Sequence, residues 1–371
     1  MINKISKLIA VLTVILFAVS CEKNDEPAVK KFSSIAEILS NDPANYSVLK
    51  KGLETVQLYT PFTNNGSYTV FAPNNASFAA YTSTNFPSGI TEAILTSTTT
   101  PLTVNQISEL KRVLMYHVIS VATYSKDIPN KDYLKSFSPF GTSTSISLST
   151  FFNKTTGVVI NGGVANGGAE VTKADIDASN GVVHTINSVL KLPTLVNQVV
   201  ANPNLSSLLA KVTDPTQTPS ATGSVFSQIN GLVLSTQLFA PNNDAFSAAT
   251  TYLNGKSVTE ISKILRYHIA TAGTFTRTEN IGTSPGNINN GSSSNSTFLP
   301  SNATTDATVT TRANVGVTAA FQMFRIQMNS LKIFELPAST TIPASNMKTV
   351  NIHTSTGIIH IVDRVLQPTL P

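Results

Sequence analysis

Five histidines are the residues most able to do chemistry in this 371-residue chain: His117, His184, His268, His353 and His360. Four of them recur in matching contexts. Tyr116-His117 is repeated as Tyr267-His268, and Gly181-Val182-Val183-His184 as Gly357-Ile358-Ile359-His360. Imidazole is a common metal ligand and proton carrier. Neither the His and Cys spacings of zinc sites nor a nearby Asp/Glu cluster accompanies these histidines. His353 stands where the first copy has Asp177, which argues against a metal site shared by both copies. The simpler expectation is four interior histidines, each hydrogen-bonded so that its burial is tolerated. A Tyr-His pair at a helix-to-strand turn then ties two backbone segments together. No cofactor and no metal are expected.

Other catalytic machinery is sparse. No Gly-x-Ser-x-Gly turn and no Gly-rich phosphate loop occurs, and the one cysteine, Cys21, lies near the N-terminus. No carboxylate pair is placed for glycoside hydrolysis. The chain therefore reads as a binding protein and not as an enzyme.

The elements that must hold these residues start with an address. Lys4 and Lys7 precede an apolar run from Leu8 to Val19, then Ala18-Val19-Ser20-Cys21. This is the layout of a secretory signal, and the run is short for a bilayer span. Small residues before a cysteine resemble a lipobox. On that reading residues 1–20 are removed, Cys21 is lipidated, and residues 21–30 form a polar tether. The expected location is the bacterial cell envelope, lipid-anchored in the outer membrane and surface-exposed. Charged residues make up only 12% of the chain and the net charge is +5; removing Lys4 and Lys7 leaves 5 − 2 = +3. That balance, without a basic cluster, argues against a nucleic-acid partner.

The remainder repeats once. Val70-Phe71-Ala72-Pro73-Asn74-Asn75-Ala76-Ser77-Phe78 returns as Leu238-Phe239-Ala240-Pro241-Asn242-Asn243-Asp244-Ala245-Phe246. The Tyr-His block and the block ending Val189-Leu190 or Val365-Leu366 follow in the same order. The expected domains are 31–193 and 194–371, divided near Leu192-Pro193-Thr194. Unequal spacing between blocks places insertions near 82–106 in the first copy and 282–305 in the second, both expected in surface loops. Within each copy an apolar strand ends at a proline. Asn74 or Asn75 caps the helix that follows, and Leu110, Val113 and Leu114 have helical spacing. Val182, His184 and Ile186 share one face of a strand. Mixed strands and short helices predict an α+β fold.

The order Phe-Ala-Pro-Asn, Tyr-His, Asn-Gly-Val-Val-His resembles the fasciclin domain over nearly the whole mature chain. The resemblance implies two tandem wedge-shaped β-sandwiches with short helices packed around them, and adhesion, matrix or polysaccharide contact as the role. Asp363 matches the family's acidic position better than Asn187 does. An Asp-Ile pair has been implicated in integrin contact in animal members, and Asp175-Ile176 matches it; in the second copy Asn351-Ile352 keeps only the Ile. Tyr116, His117, Tyr267 and His268 lie in a second region implicated in adhesion. The candidate binding residues are therefore Asp175, Ile176, Tyr116, His117, Tyr267 and His268, with Cys21 as the lipidation site. The expected partners are the membrane, through the lipid, and an extracellular protein or polysaccharide. Two weak sites on one chain are expected to add avidity. The competing expectation is an accessory glycan-binding lipoprotein for polysaccharide uptake, with Tyr124, Tyr133 and Tyr252 stacking on sugars.

Overall fold

In a computed structural model the described residues are 32–277 and 307–368, apart from 81–89, 91, 98–100, 142, 144–145, 220, 222–223, 232–235, 312–322, 328–329 and 337–341. The signal, Cys21, the tether and the second insertion at 282–305 lie outside them. Residues Ser33–Pro371 cluster as one unit.

The first copy opens with α1 (Ile35–Asn41) and α2 (Pro43–Thr55). Ser34 and Glu37 form a capping box at the start of α1, and Asp42 with Pro43 starts α2, the Asp42 side chain accepting from Asn45 N. Strand β1 (Tyr68–Pro73) leads to α3 (Asn75–Ala79), the short α4 (Glu92–Thr96) and α5 (Val104–Tyr116). Six strands follow: β2 (Val118–Ile119), β3 (Asp132–Pro139), β4 (Ser147–Asn153), β5 (Val159–Ile160), β6 (Ala169–Ala178) and β7 (Gly181–Ile186). Each pairs with the next, and β7 returns parallel to β1, with Phe71 opposite His184. The strands of this copy therefore pair in a closed ring with helices packed beside it, in keeping with the α+β fold expected. Closure leaves β1 and β7 without a free edge.

The second copy repeats this plan. Helices α6 (Leu195–Ala201), α7 (Ser206–Val212) and α8 (Val225–Asn230) precede β8 (Thr236–Pro241). Then come α9 (Asn243–Ala248), α10 (Thr250–Leu253) and α11 (Val258–Tyr267). Strands β9 (Ile269–Arg277), β10 (Ala307–Thr311), β11 (Met323–Gln327), β12 (Lys332–Leu336), β13 (Ser345–His353) and β14 (Gly357–Val362) complete the barrel, with β14 parallel to β8.

Alternation along β1 sorts two cores. Val70 and Ala72 face the helices, among Leu39, Leu49, Leu114 and Val183. Phe71 faces the barrel interior with Phe152, Ile160 and Ile186. The two asparagines after Pro73 divide their work. Asn74 caps α3 by accepting from Ser77 N, and Asn75 Oδ1 accepts from Val48 N while its Nδ2 donates to Pro43 O and Ala44 O. Asn242 and Asn243 repeat both roles. The first insertion departs from the expected surface loop, because its Ile90 and Leu95 are buried among the helix-side core. An apolar side chain in a connecting segment gains by covering that core.

Candidate functional site

The Tyr-His pairs are interior. Tyr116 ends α5 with its hydroxyl donating to Ser149 O at 2.9 Å and accepting from Asn161 Nδ2 at 2.9 Å. His117 is the next residue. Its Nε2 accepts from Leu190 N at 2.9 Å, so the ring proton sits on Nδ1 and is donated to Val113 O at 2.8 Å. His268 makes the same pair, from Leu366 N at 2.9 Å and to Ile264 O at 2.8 Å. Each ring thus joins the end of a helix to the segment that follows the barrel's last strand. Burial drives both imidazoles down to about 4. Tyr116, His117, Tyr267 and His268 are at most 1% exposed, so as binding residues they would need the fold to open.

His184 and His360 use the opposite tautomer. His184 Nδ1 accepts from Asp175 N at 3.1 Å and Nε2 donates to Thr123 O at 2.9 Å. His360 accepts from Asn351 N at 3.3 Å and donates to Gln237 Oε1 at 3.2 Å. Each ring stacks on the phenylalanine of its paired strand, Phe71 at 5.3 Å and Phe239 at 5.1 Å between centroids. Desolvation lowers His184 and takes His360 down to about 3. What these rings hold is a bulge. Asp175 and Asn351 both have left-handed backbones, with φ of 59° and 58°. Asp and Asn tolerate that conformation better than other side chains. The glycine before each histidine block is equally constrained: a Cβ on Gly181 would lie 2.0 Å from Tyr68 O, and one on Gly357 2.3 Å from Thr236 O.

Around the first bulge the surface is polar and ordered. Asp175 Oδ1 accepts from Ser125 N at 2.7 Å and Oδ2 from Ser125 Oγ at 2.5 Å. Tyr124 donates its hydroxyl to Asp177 Oδ1 at 3.0 Å. Desolvation alone would raise the Asp175 carboxyl; the Ser125 hydrogen bonds, with His184 and Lys126, bring it below its ordinary value. Both of its oxygens already accept a hydrogen bond, and Ile176 is half-buried against the helix-side core. Lys173, Ala174, Asp175 and Asp177 are exposed. Among the described residues no cluster of His, Cys, Asp and Glu is arranged to hold a metal ion.

A further pair of hydrogen-bonded strand positions repeats with its chemistry exchanged. Glu170 N donates to Asn187 Oδ1 at 2.8 Å, and Asn187 Nδ2 donates to Glu170 Oε2 at 3.3 Å. In the second copy Asn346 N donates to Asp363 Oδ1 and Asn346 Nδ2 to Asp363 Oδ2, each at 2.7 Å.

The joint between the copies contains residues that sequence reasoning did not single out. Lys135 on β3 donates from Nζ to Ser149 Oγ at 2.8 Å, to Asn351 O at 2.7 Å and to His353 Nδ1 at 2.8 Å. His353 N donates to Ser149 Oγ at 3.0 Å, and its ring lies 5.0 Å from that of Phe140. Gln198 Nε2 donates to Ser149 O at 3.1 Å. Tyr133 belongs to this seam, with its hydroxyl accepting from Asn202 Nδ2 at 3.1 Å. Of the other tyrosines considered for stacking, Tyr252 has Lys256 over its ring at 4.6 Å, and Tyr124 stands at the bulge. A separate apolar cavity of about 260 Å³ in the first copy is lined by Leu58, Phe62, Tyr68, Met115, Val118 and Phe137.

Comparison with known proteins agrees with the duplicated plan. Residues 44–193 and 224–368 each match the fasciclin domain. A stretch of 169 residues, 46% of the chain, is 30% identical to transforming growth factor-beta-induced protein ig-h3 of Sus scrofa, of which it spans 21%. A stretch of 168 residues, 45% of the chain, is 28% identical to protein sll1483 of Synechocystis sp. and spans 78% of it. A FAS1 domain pair from the insect cell adhesion molecule fasciclin I overlaps 90% of this chain and 95% of its own, at 15% identity and a TM-score of 0.43. Fasciclin domains are generally adhesion modules and no catalytic family is indicated. With both matched regions covering most of its length, the chain belongs to the fasciclin domain family, of which it carries two copies in tandem.

Proposed function

We propose that the chain is an envelope-anchored surface lipoprotein whose fasciclin pair acts as a non-catalytic adhesion or matrix-binding module. The observation that carries this reading is the division of its polar groups. The paired histidines and tyrosines are spent on interior hydrogen bonds, while half-buried Tyr124 and Ser125 bond to exposed Asp177 and Asp175 and, with exposed Lys173, form a polar surface. Binding through such a surface fits the adhesion role of fasciclin domains. The lipid on Cys21 would then supply the membrane attachment. The glycan-binding alternative draws on Tyr124, whose ring stands beside the Asp177 carboxylate, a pairing able to stack on a sugar and accept from its hydroxyls.

The test uses the full chain, displayed on cells, against immobilised matrix proteins and a glycan array. Adhesion to a protein matrix that falls with Asp177→Ala supports the adhesion reading. Selective binding to a soluble polysaccharide favours the alternative, and absence of any binding overturns both. In parallel, Cys21→Ala should release the protein from the membrane fraction or block its maturation; normal processing and retention would overturn the lipoprotein assignment.

A further inference from the structure

The two copies of the bulge strand are in different environments. In β6 residues 173–175 and 177 are exposed, whereas the matching residues of β13 are half-buried at 349–351 and buried at 353. The covering comes from the first domain. Lys135 and Ser149 bond to Asn351 O, His353 Nδ1 and His353 N, and Phe140 packs on the His353 ring. The cores interlock as well. Ile358 joins the barrel cluster of the first domain, and Tyr133 packs against the helix-side cluster of the second.

We infer that the joint is an autoinhibitory clasp: the first domain covers the second domain's copy of the bulge strand, and Lys135 is the pin that holds it covered. The protein therefore presents this surface once and not twice. Lys135 suits the role because its ammonium has three acceptors, one on its own domain and two on β13. Hydrogen bonds from a charged donor are about twice as strong as neutral ones, and leaving such a group without partners in a buried seam is costly. Asn351 O is available because the left-handed bulge turns that carbonyl out of the ladder, as a bulge leaves its extra residue unpaired. The consequence for binding rests on the proposed function, since it takes the bulge surface as the contact surface. The covering itself does not.

Two readouts test the clasp without any ligand. Spin labels at Glu54→Cys and Lys211→Cys, in a Cys21→Ala background, report the distance between domains in the full chain. Amide hydrogen exchange reports protection of residues 349–353. The unaltered clasp should give one narrow distance distribution and slow exchange. Lys135→Met should broaden the distribution and speed exchange at 349–353 on the order of tenfold, with residues 182–186 unchanged. If Lys135→Met does not fold, Ser149→Ala removes the acceptor of the His353 amide and should speed exchange at that residue. A broad distribution in the parent chain would overturn the inference. So would a pinless variant as narrow and as protected as the parent. Either result leaves the adhesion assay to be judged by itself.

Discussion

Lowering the pH from 7 to 5 should strip stability from this protein through its interior histidines, and more from the second domain than from the first. His117 and His268 are held neutral, with Nε2 accepting a backbone N–H and no room for a second ring proton. Their folded values are about 4, against about 6.5 in an unfolded chain. His360 lies at about 3. A folded value below the unfolded one means that the unfolded chain takes up protons first. Stability is therefore complete above pH 6.5 and is lost as the pH falls from 6.5 towards 4. At pH 5 each of these histidines costs about 2 kcal/mol, from the ratio of the two protonation equilibria. The second domain holds two of them, His268 and His360, and so loses about 4 kcal/mol from these alone, with buried His353 acting in the same direction. The first holds His117, with His184 acting in the same direction. Native domains have roughly 5–15 kcal/mol in total, so the loss is a large fraction. Urea unfolding followed by circular dichroism at pH 7 and pH 5 measures it. His268→Gln should lower stability at pH 7 but reduce the pH 7 to pH 5 difference by about 2 kcal/mol, since glutamine does not titrate. Equal stability at the two pH values, or a variant that keeps the full difference, would refute the reasoning.

Two further outcomes follow from the same geometry. Gly181→Ala forces a Cβ onto Tyr68 O at the β1–β7 closure and should cost at least about 2 kcal/mol in urea unfolding; a neutral result would show that the strands part easily there. Chelator should leave the melting temperature unchanged, because both nitrogens of His117, His184, His268 and His360 are engaged in hydrogen bonds. A melting temperature that falls with chelator and recovers with added metal would show a metal bound to the folded state.

What could be read from the sequence were features that occur twice. The Tyr-His blocks, the Gly-x-x-His blocks and the asparagine caps mark positions where each barrel needs a specific group, and duplication makes them visible. Closure of the sheet was not visible, because an apolar strand reads alike in a sandwich and in a barrel. The joint was hidden for a different reason. Lys135 and His353 are separated by 218 residues and occur once, so neither periodicity nor repetition marks them. Asp175 was singled out for its carboxylate, yet its backbone is left-handed at a bulge where Asn351 takes the same conformation. Ile90 and Leu95 were assigned to a loop because the unequal block spacing marks 82–106 as an insertion, and only the tertiary fold shows them covering the core.

The exchanged pair at the base of the last hairpin sets the smallest portable piece of this fold. In the first copy the carboxylate comes from Glu170 on β6 and the amide from Asn187 beyond β7; in the second, Asn346 on β13 supplies the amide and Asp363 beyond β14 the carboxylate. Moving one strand alone between copies would set two carboxylates, or two amides, against each other. The hairpin with its closing residue behaves as a cassette, complementary within itself and repulsive when a division sets two carboxylates together, whereas two amides can still pair. Recombination between the two halves of the gene would then be tolerated at the borders of that cassette and penalised inside it, so that the copies can diverge in sequence while each hairpin stays matched to itself.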